Sequence, residues 1–222
     1  MAEIWWITVL TIGLAATATL LMLPPALLLA WALARGRFPG RVLLETIVSL
    51  PLVMPPVATG LILLMLLAPR GALGPFLLSL GIEVVFTWKA VVIAMAVMGM
   101  PLLVRTARGG MEQVDPRYAR VASTLGASPL RVFLTVTLPL ALPAITAGTV
   151  LAFARAIGEF GATMMIAGSI PGSTRTLAVA IYSFAETGRD AEAAQLVAVS
   201  AAIAFAALTL ANWIAVRFGV RA

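Results

Sequence analysis

Apolar runs long enough to cross a bilayer recur along this chain of 222 residues, and nothing else in the sequence restricts its fold so severely. An α-helix needs about 20 predominantly apolar residues to traverse the hydrocarbon core, and the stretches 7–34, 43–67, 90–103, 133–156 and 193–215 reach or approach that length. Inside hydrocarbon each backbone N–H and C=O must find its partner within the structure, so runs of this kind are read as helices. A soluble helical core is not an alternative, because so many helices apolar on every side could not be solvated. Charge content points the same way. Only 11% of the residues are charged, where soluble domains carry roughly a quarter. The expectation is an all-α integral membrane protein.

Residue types that are missing narrow the chemistry. The sequence has neither cysteine nor histidine, which removes disulfides, thiolate chemistry, metal or haem ligation through those side chains, and Ser–His or Cys–His catalysis. No glycine-rich phosphate loop ends in Lys-Ser or Lys-Thr, and the sole lysine is Lys89, in TWKAVV. If ATP drives the process, another chain must supply the nucleotide site. No cofactor and no nucleic-acid partner are expected. The net charge of +6 is carried by arginine apart from Lys89. In a membrane protein such a surplus collects in cytoplasmic loops and sets orientation.

The start, MAEIWWITVL, lacks the basic region and small-residue cleavage site of a signal peptide. Glu3 with Trp5 and Trp6 reads as an interfacial anchor on the outer face. The first span, 7–34, is expected to kink at Pro24-Pro25, where two ladder hydrogen bonds are lost. Arg35, Arg37 and Arg41 then mark a short cytoplasmic loop, so the N-terminus falls outside. The second span, 43–67, contains Pro51, Pro55 and Pro56, tolerated only where neighbours or water satisfy the freed groups. Residues 68–88 hold a turn and a short outer-surface helix in FLLSLGIEVVF. The third span, 90–103, re-enters the cytoplasm at Arg105 and Arg108, and the fourth, from about 133 to 156, contains Pro139 and Pro143. Residues 155–173, with four glycines and a proline, are read as a break. A short outer helix at 174–185 keeps Glu186, Asp190 and Glu192 outside and lets the last span, 193–215, end at Arg217 and Arg221 in the cytoplasm. This gives five full spans plus one embedded short helix in a single domain, 1–222.

Between the third and fourth spans lies the longest polar interruption, DPRYARVASTLGASPLRVFLTVTLP, residues 115–139. Asp115 is suited to cap a helix and Pro116 to occupy its first turn, where no N–H is required. Gly126 can adopt the left-handed conformation that ends a helix, and Ser128-Pro129 repeats the cap-plus-proline start. Two short helices on a glycine elbow, set between membrane spans, form an odd construction unless something docks on them.

This stretch resembles the Glu-Ala-Ala motif of binding-protein-dependent ABC importer permeases. In that motif Glu-Ala-Ala is followed by three residues, glycine, nine residues, isoleucine, one residue and Leu-Pro. Here Gly126 is followed at the same spacing by Val136, Thr137, Leu138 and Pro139, while the Glu-Ala-Ala positions hold Arg120, Val121 and Ala122. The family's glutamate is therefore an arginine. A second stretch, ARAIGEFGATMMIAGSIPGSTRTLAVAIYS, is similar to the GEFGAT and IPG…TLxxAIY patterns of molybdate permease subunits; sulfate permeases share the GEF portion and are typically longer. The resemblance implies a type I ABC importer permease fold with a coupling-helix hairpin in the loop 109–132. It also implies a homodimer, two cytoplasmic ABC ATPase subunits, and a periplasmic or lipid-anchored protein delivering molybdate or a related oxyanion (sulfate, tungstate). Coupling would fall to Asp115, Pro116, Arg117, Tyr118, Arg120, Ala122, Leu125, Gly126, Ala127, Ser128, Arg131, Leu138 and Pro139.

The translocation path or gate would involve Arg155, Gly158, Glu159, Phe160, Gly161 and Thr163. Arg155 and Glu159 are four residues apart and share a helix face if the helix persists. Ionisable groups at membrane depth cost several kcal/mol and mark function by default. Two readings stay open: a residue on the path with a gate beside it, or a mutual ion pair that stabilises the break. The glycines 158, 161, 168 and 172 fit a hinge, a close subunit approach, or a plain outer loop. A self-contained secondary transporter would need more intramembrane charge and an inverted repeat, and neither is detected. A membrane enzyme would need a convergent carboxylate cluster, which is lacking.

Overall fold

The computed structural model describes residues 2–35 and 38–217, all helix and connecting loop, with no strand among them. The expectations for Arg37 and Arg221 lie outside the described residues. Four helices are long and apolar enough to cross a membrane. They are α1 (Ala2–Arg35), α5 (Trp88–Glu112), the segment Pro129–Ile157 and α11 (Asp190–Arg217).

The central helix is α5, which packs against α1 on one side and α8 (Leu138–Ile157) on another, with α11 beyond α8. Alanine explains how closely α1 approaches. Ala15, Ala18, Ala26 and Ala30 recur at helical spacing among its buried residues, and all four are fully buried. Helices α1, α5 and α11 run in one direction and the segment Pro129–Ile157 in the other, so the bundle has two ends. One collects Arg35, Arg41, Arg108 and Arg217 around a core of Met22, Leu33, Leu103 and Phe133. The other holds Glu3 and Arg189, joined at 2.9 Å, above a core of Val91, Met95, Ile166 and Leu196.

The expected kink site in the first span carries no interruption: α1 is helical through Pro24 and Pro25. The second span, by contrast, is not one helix. It divides into α2 (Arg41–Val53) and α3 (Pro56–Leu67), which meet at 114°. Met54 and Pro55 each precede a proline, a position that disfavours the helical backbone, and both are extended, with ψ of 147° and 130°. Pro56 then opens α3 at the position where its missing N–H costs nothing. If this bent pair counts as one crossing, the candidate spans number five.

Other boundaries shift as well. The outer-surface helix is only α4 (Gly74–Ser79), six residues long. The third span runs nine residues past 103, so Arg105 and Arg108 sit on the helix and not in a loop. Arg108 earns its place there through Glu45 and Glu112, each at 2.7 Å, with Arg41 also 3.7 Å from Glu112. The break at 155–173 contains a short helix, α9 (Gly161–Ala167), that the glycine content concealed. The helix expected at 174–185 is α10 (Leu177–Glu186). Its 10 residues extend about 15 Å, half of what a crossing requires.

Candidate functional site

Two groups of residues singled out by the sequence lie at opposite ends of α8, a helix of 20 residues and therefore about 30 Å long. The first is the hairpin. Its helices are α6 (Pro116–Thr124) and α7 (Pro129–Val132), each opened by a proline and each capped by the residue before it. The Arg117 N–H donates to Asp115 Oδ1 at 2.8 Å, and the Arg131 N–H to Ser128 Oγ at 3.3 Å. Gly126 between them has φ +82°, a backbone that L side chains rarely adopt, and open space around it. The Ala127 N–H returns to the Ala122 carbonyl at 3.1 Å and closes the end of α6.

No residue of α6 is buried. Tyr118, Val121 and Leu125 share one of its faces by helical spacing and are exposed, Leu125 to 82%. The hairpin is seated on the bundle through Val132 and Phe133, both buried, with the Phe133 ring 4.9 Å from Trp31. From Phe133 to Thr137 the chain forms a π-helical turn, in which the Leu138 N–H reaches back to Phe133. Such turns accommodate an extra residue without breaking a helix, and this one comes immediately before Leu138-Pro139, where Pro139 has no N–H to give. Leu138 packs into the core at this end while Pro139 is exposed. Thus the structure brings residues 115–131 together as one projecting unit, and holds Leu138 and Pro139 beneath it at the start of α8.

The second group surrounds the interruption between α8 and α9. Arg155, on the last turn of α8, meets Glu159 at 2.8 Å. The Glu159 side chain is only 1% exposed, against 30% for Arg155. Its other oxygen, Oε1, accepts the Ala162 N–H at 2.8 Å. A single buried carboxylate therefore joins the end of one helix to the first turn of the next, with both oxygens engaged. That satisfies the general requirement that buried charge be paired and hydrogen-bonded. Gly158 is exposed, and Phe160 lies 5.1 Å from the Tyr182 ring of α10.

Sequence reasoning did not foresee what covers this break. The first turns of α3 rest directly on α9. A Cβ on Gly161 would stand 2.8 Å from Pro56 Cβ and 3.0 Å from the Val57 nitrogen, while one on Gly60 would stand 2.7 Å from Ala162 Cα. Two threonines beside this seam, Thr59 and Thr163, are buried with hydroxyls that have no hydrogen-bond partner. Thr11 was also unforeseen. Midway along an apolar stretch of α1, its hydroxyl accepts the Leu177 N–H at 2.9 Å and so caps α10 from another helix. A hydroxyl inside an otherwise apolar run was the only signal available for each.

Comparison with known proteins agrees with this architecture. Residues 22–220 match the model of the "Binding-protein-dependent transport system inner membrane component" family. The chain is 45% identical over 213 residues to the molybdenum transport system permease protein ModB of Escherichia coli, covering 95% of this chain and 93% of that one. It is 39% identical over 199 residues to the sulfate transport system permease protein CysT of Salmonella typhimurium, covering 88% of this chain and 70% of that one. Among solved structures, a bacterial ABC transporter involved in the import of the polysaccharide alginate matches 98% of this chain and 80% of its own with a TM-score of 0.71. An amino acid ABC transporter matches 97% and 94% with a TM-score of 0.66. At 17% and 18% identity these two speak for the fold alone. Taken with the helical bundle and its projecting hairpin, the match across nearly the whole chain shows that this protein belongs to the family of binding-protein-dependent transport system inner membrane components, the membrane-spanning subunits of ABC importers.

Proposed function

We propose that this chain, acting as one domain over residues 1–222, is the translocating subunit of an ATP-driven importer of molybdate. The observation that carries the substrate is the 45% identity to a molybdenum permease with both chains covered almost end to end, against 39% and a partial match to a longer sulfate permease. Two copies form the pathway, a periplasmic or lipid-anchored protein delivers the oxyanion, and ATP is hydrolysed by two separate cytoplasmic subunits. The hairpin end, with its paired and unpaired arginines, faces the cytoplasm, and the Glu3–Arg189 end faces outward, in keeping with the positive-inside rule.

In this reading the hairpin is the lever. Closure of the ATPase pair displaces α6 and α7, and their joint rigid attachment to α8 carries the movement to the break at Arg155–Glu159. A partner can bias the subunit only through contacts that differ between its two states, and the exposed face of Tyr118, Val121 and Leu125 offers such contacts. At the far end, Arg155, Gly158, Glu159, Phe160, Gly161 and Thr163 form a gate whose seal is the glycine-mediated seam between α3 and α9. Glu159 holds the gate's two helices in register. Arg155, pinned by that carboxylate, is restrained from gripping a doubly charged anion that must be released.

The test is uptake of radiolabelled molybdate by vesicles containing the assembled importer, with tungstate and sulfate as competitors. Competition by tungstate with sulfate ineffective supports the assignment. Preferential uptake of sulfate would move it to the sulfate class.

A further inference from the structure

Two groups of arginines at the hairpin end differ in their partners. Where the chain leaves the bundle, Arg41 and Arg108 are compensated by Glu45 and Glu112 at 2.7–3.7 Å. On the hairpin itself, Arg117, Arg120 and Arg131 are all exposed, and none forms an ion pair or a side-chain hydrogen bond among the described residues. Asp115, the only carboxylate between residues 113 and 131, has an oxygen committed to capping α6. The projecting unit thus carries three unpaired cations.

Their placement matters as much as their number. Arg117 and Arg120 are three apart on α6 and lie side by side, next to the apolar face of Tyr118, Val121 and Leu125. A guanidinium presents a planar fork of donors that matches a carboxylate in bidentate fashion. From this we infer that the surface receiving the hairpin is acidic: an apolar cleft on the ATP-hydrolysing subunit, rimmed by carboxylates that face Arg117, Arg120 and Arg131. This rests on the coupling reading above and adds the chemistry of the partner. Anionic lipid headgroups are the competing occupant. The paired belt of Arg41, Arg108, Glu45 and Glu112 lies where the span ends, and the hairpin follows it in the chain with no residue of α6 buried against the bundle. That arrangement favours a partner met beyond the membrane surface.

Charges at the rim of an interface act mainly on the association rate and its salt dependence. The full-length permease in phosphatidylcholine nanodiscs, with and without phosphatidylglycerol, is titrated with the purified ATP-hydrolysing subunit at low and high salt. The double variant Arg117→Glu/Arg120→Glu should associate about tenfold more slowly at low salt in both kinds of disc, with the deficit shrinking as salt screens it. Arg117→Lys/Arg120→Lys should retain most of the rate, and an unchanged thermal midpoint shows that each variant is folded. Slower association confined to discs with phosphatidylglycerol would assign the arginines to lipid and overturn the inference. Unchanged association in the reversal variant, with Leu125→Asp abolishing it, would also overturn the acidic cleft yet leave docking in place. If Leu125→Asp has no effect either, the docking reading itself fails.

Discussion

The hairpin and the Glu159 break are both polar interruptions of an apolar chain, yet they settle their electrostatics in opposite ways. The hairpin satisfies its backbone locally, through Asp115, Ser128 and Gly126, and leaves its arginines in water without partners. The break buries one carboxylate completely and commits both its oxygens, one to Arg155 and one to the Ala162 N–H. A self-contained element with free charge is built to meet something else. A buried and fully engaged charge is built to hold its own neighbours. The comparison predicts that damage at the break falls on the stability of the subunit, while damage at the hairpin falls on its partnership.

The largest effect should follow Glu159→Ala, which leaves Arg155 uncompensated and the Ala162 N–H unpaired. Breaking a buried pair from one side costs about 3 kcal/mol, so thermal unfolding in detergent should show a clear drop, with Glu159→Gln less severe because it can still accept from Ala162. An unchanged midpoint would mean the pair is incidental. Next comes Gly161→Leu, whose side chain must enter space held by Pro56 and Val57. Overpacking of about 2 kcal/mol is expected, together with weakened cross-linking between cysteines introduced on α3 and α9 if the seam is forced apart. On the hairpin, Asp115→Ala should cost about 1 kcal/mol of local helix stability, visible as faster amide exchange over 117–124 with no change in the global midpoint. A shift in that midpoint would show that the hairpin is part of the bundle's core after all. The smallest change is Thr163→Val, which removes a buried hydroxyl that has no partner and should raise stability by about 1 kcal/mol. A loss instead would reveal a hydrogen bond made in another state of the seam.

The same contrast governs which features are legible in the sequence. The hairpin was legible because its determinants are local. A capping side chain, a proline at the first turn and a glycine at positive φ act over three or four residues, and their spacing is visible in the string. Partial success came at Arg155 and Glu159, where a separation of four residues gave the pairing but not that Glu159 would be buried or would cap α9. The division of the second span illustrates the limit. Pro51, Pro55 and Pro56 were plain to see, but Pro24-Pro25 looks just as disruptive and lies inside an uninterrupted helix. Local sequence does not separate the two, since Leu23 and Pro24 precede prolines just as Met54 and Pro55 do; what differs is that α3 is turned so that Gly60 rests on Ala162, about a hundred residues later. Contacts of that range, like the Thr11 cap on α10, leave no periodic trace.

Central to the proposed function is that the chain is driven through its hairpin by ATP hydrolysis on another subunit. The direct measurement is molybdate accumulation in proteoliposomes holding either this chain alone or the assembled importer with its binding protein, each with and without ATP, and each repeated with Gly126→Trp. Accumulation should occur only in the assembled importer with ATP, and should be lost in Gly126→Trp. Molybdate uptake by the chain alone, or undiminished ATP-dependent uptake in Gly126→Trp, would contradict the account.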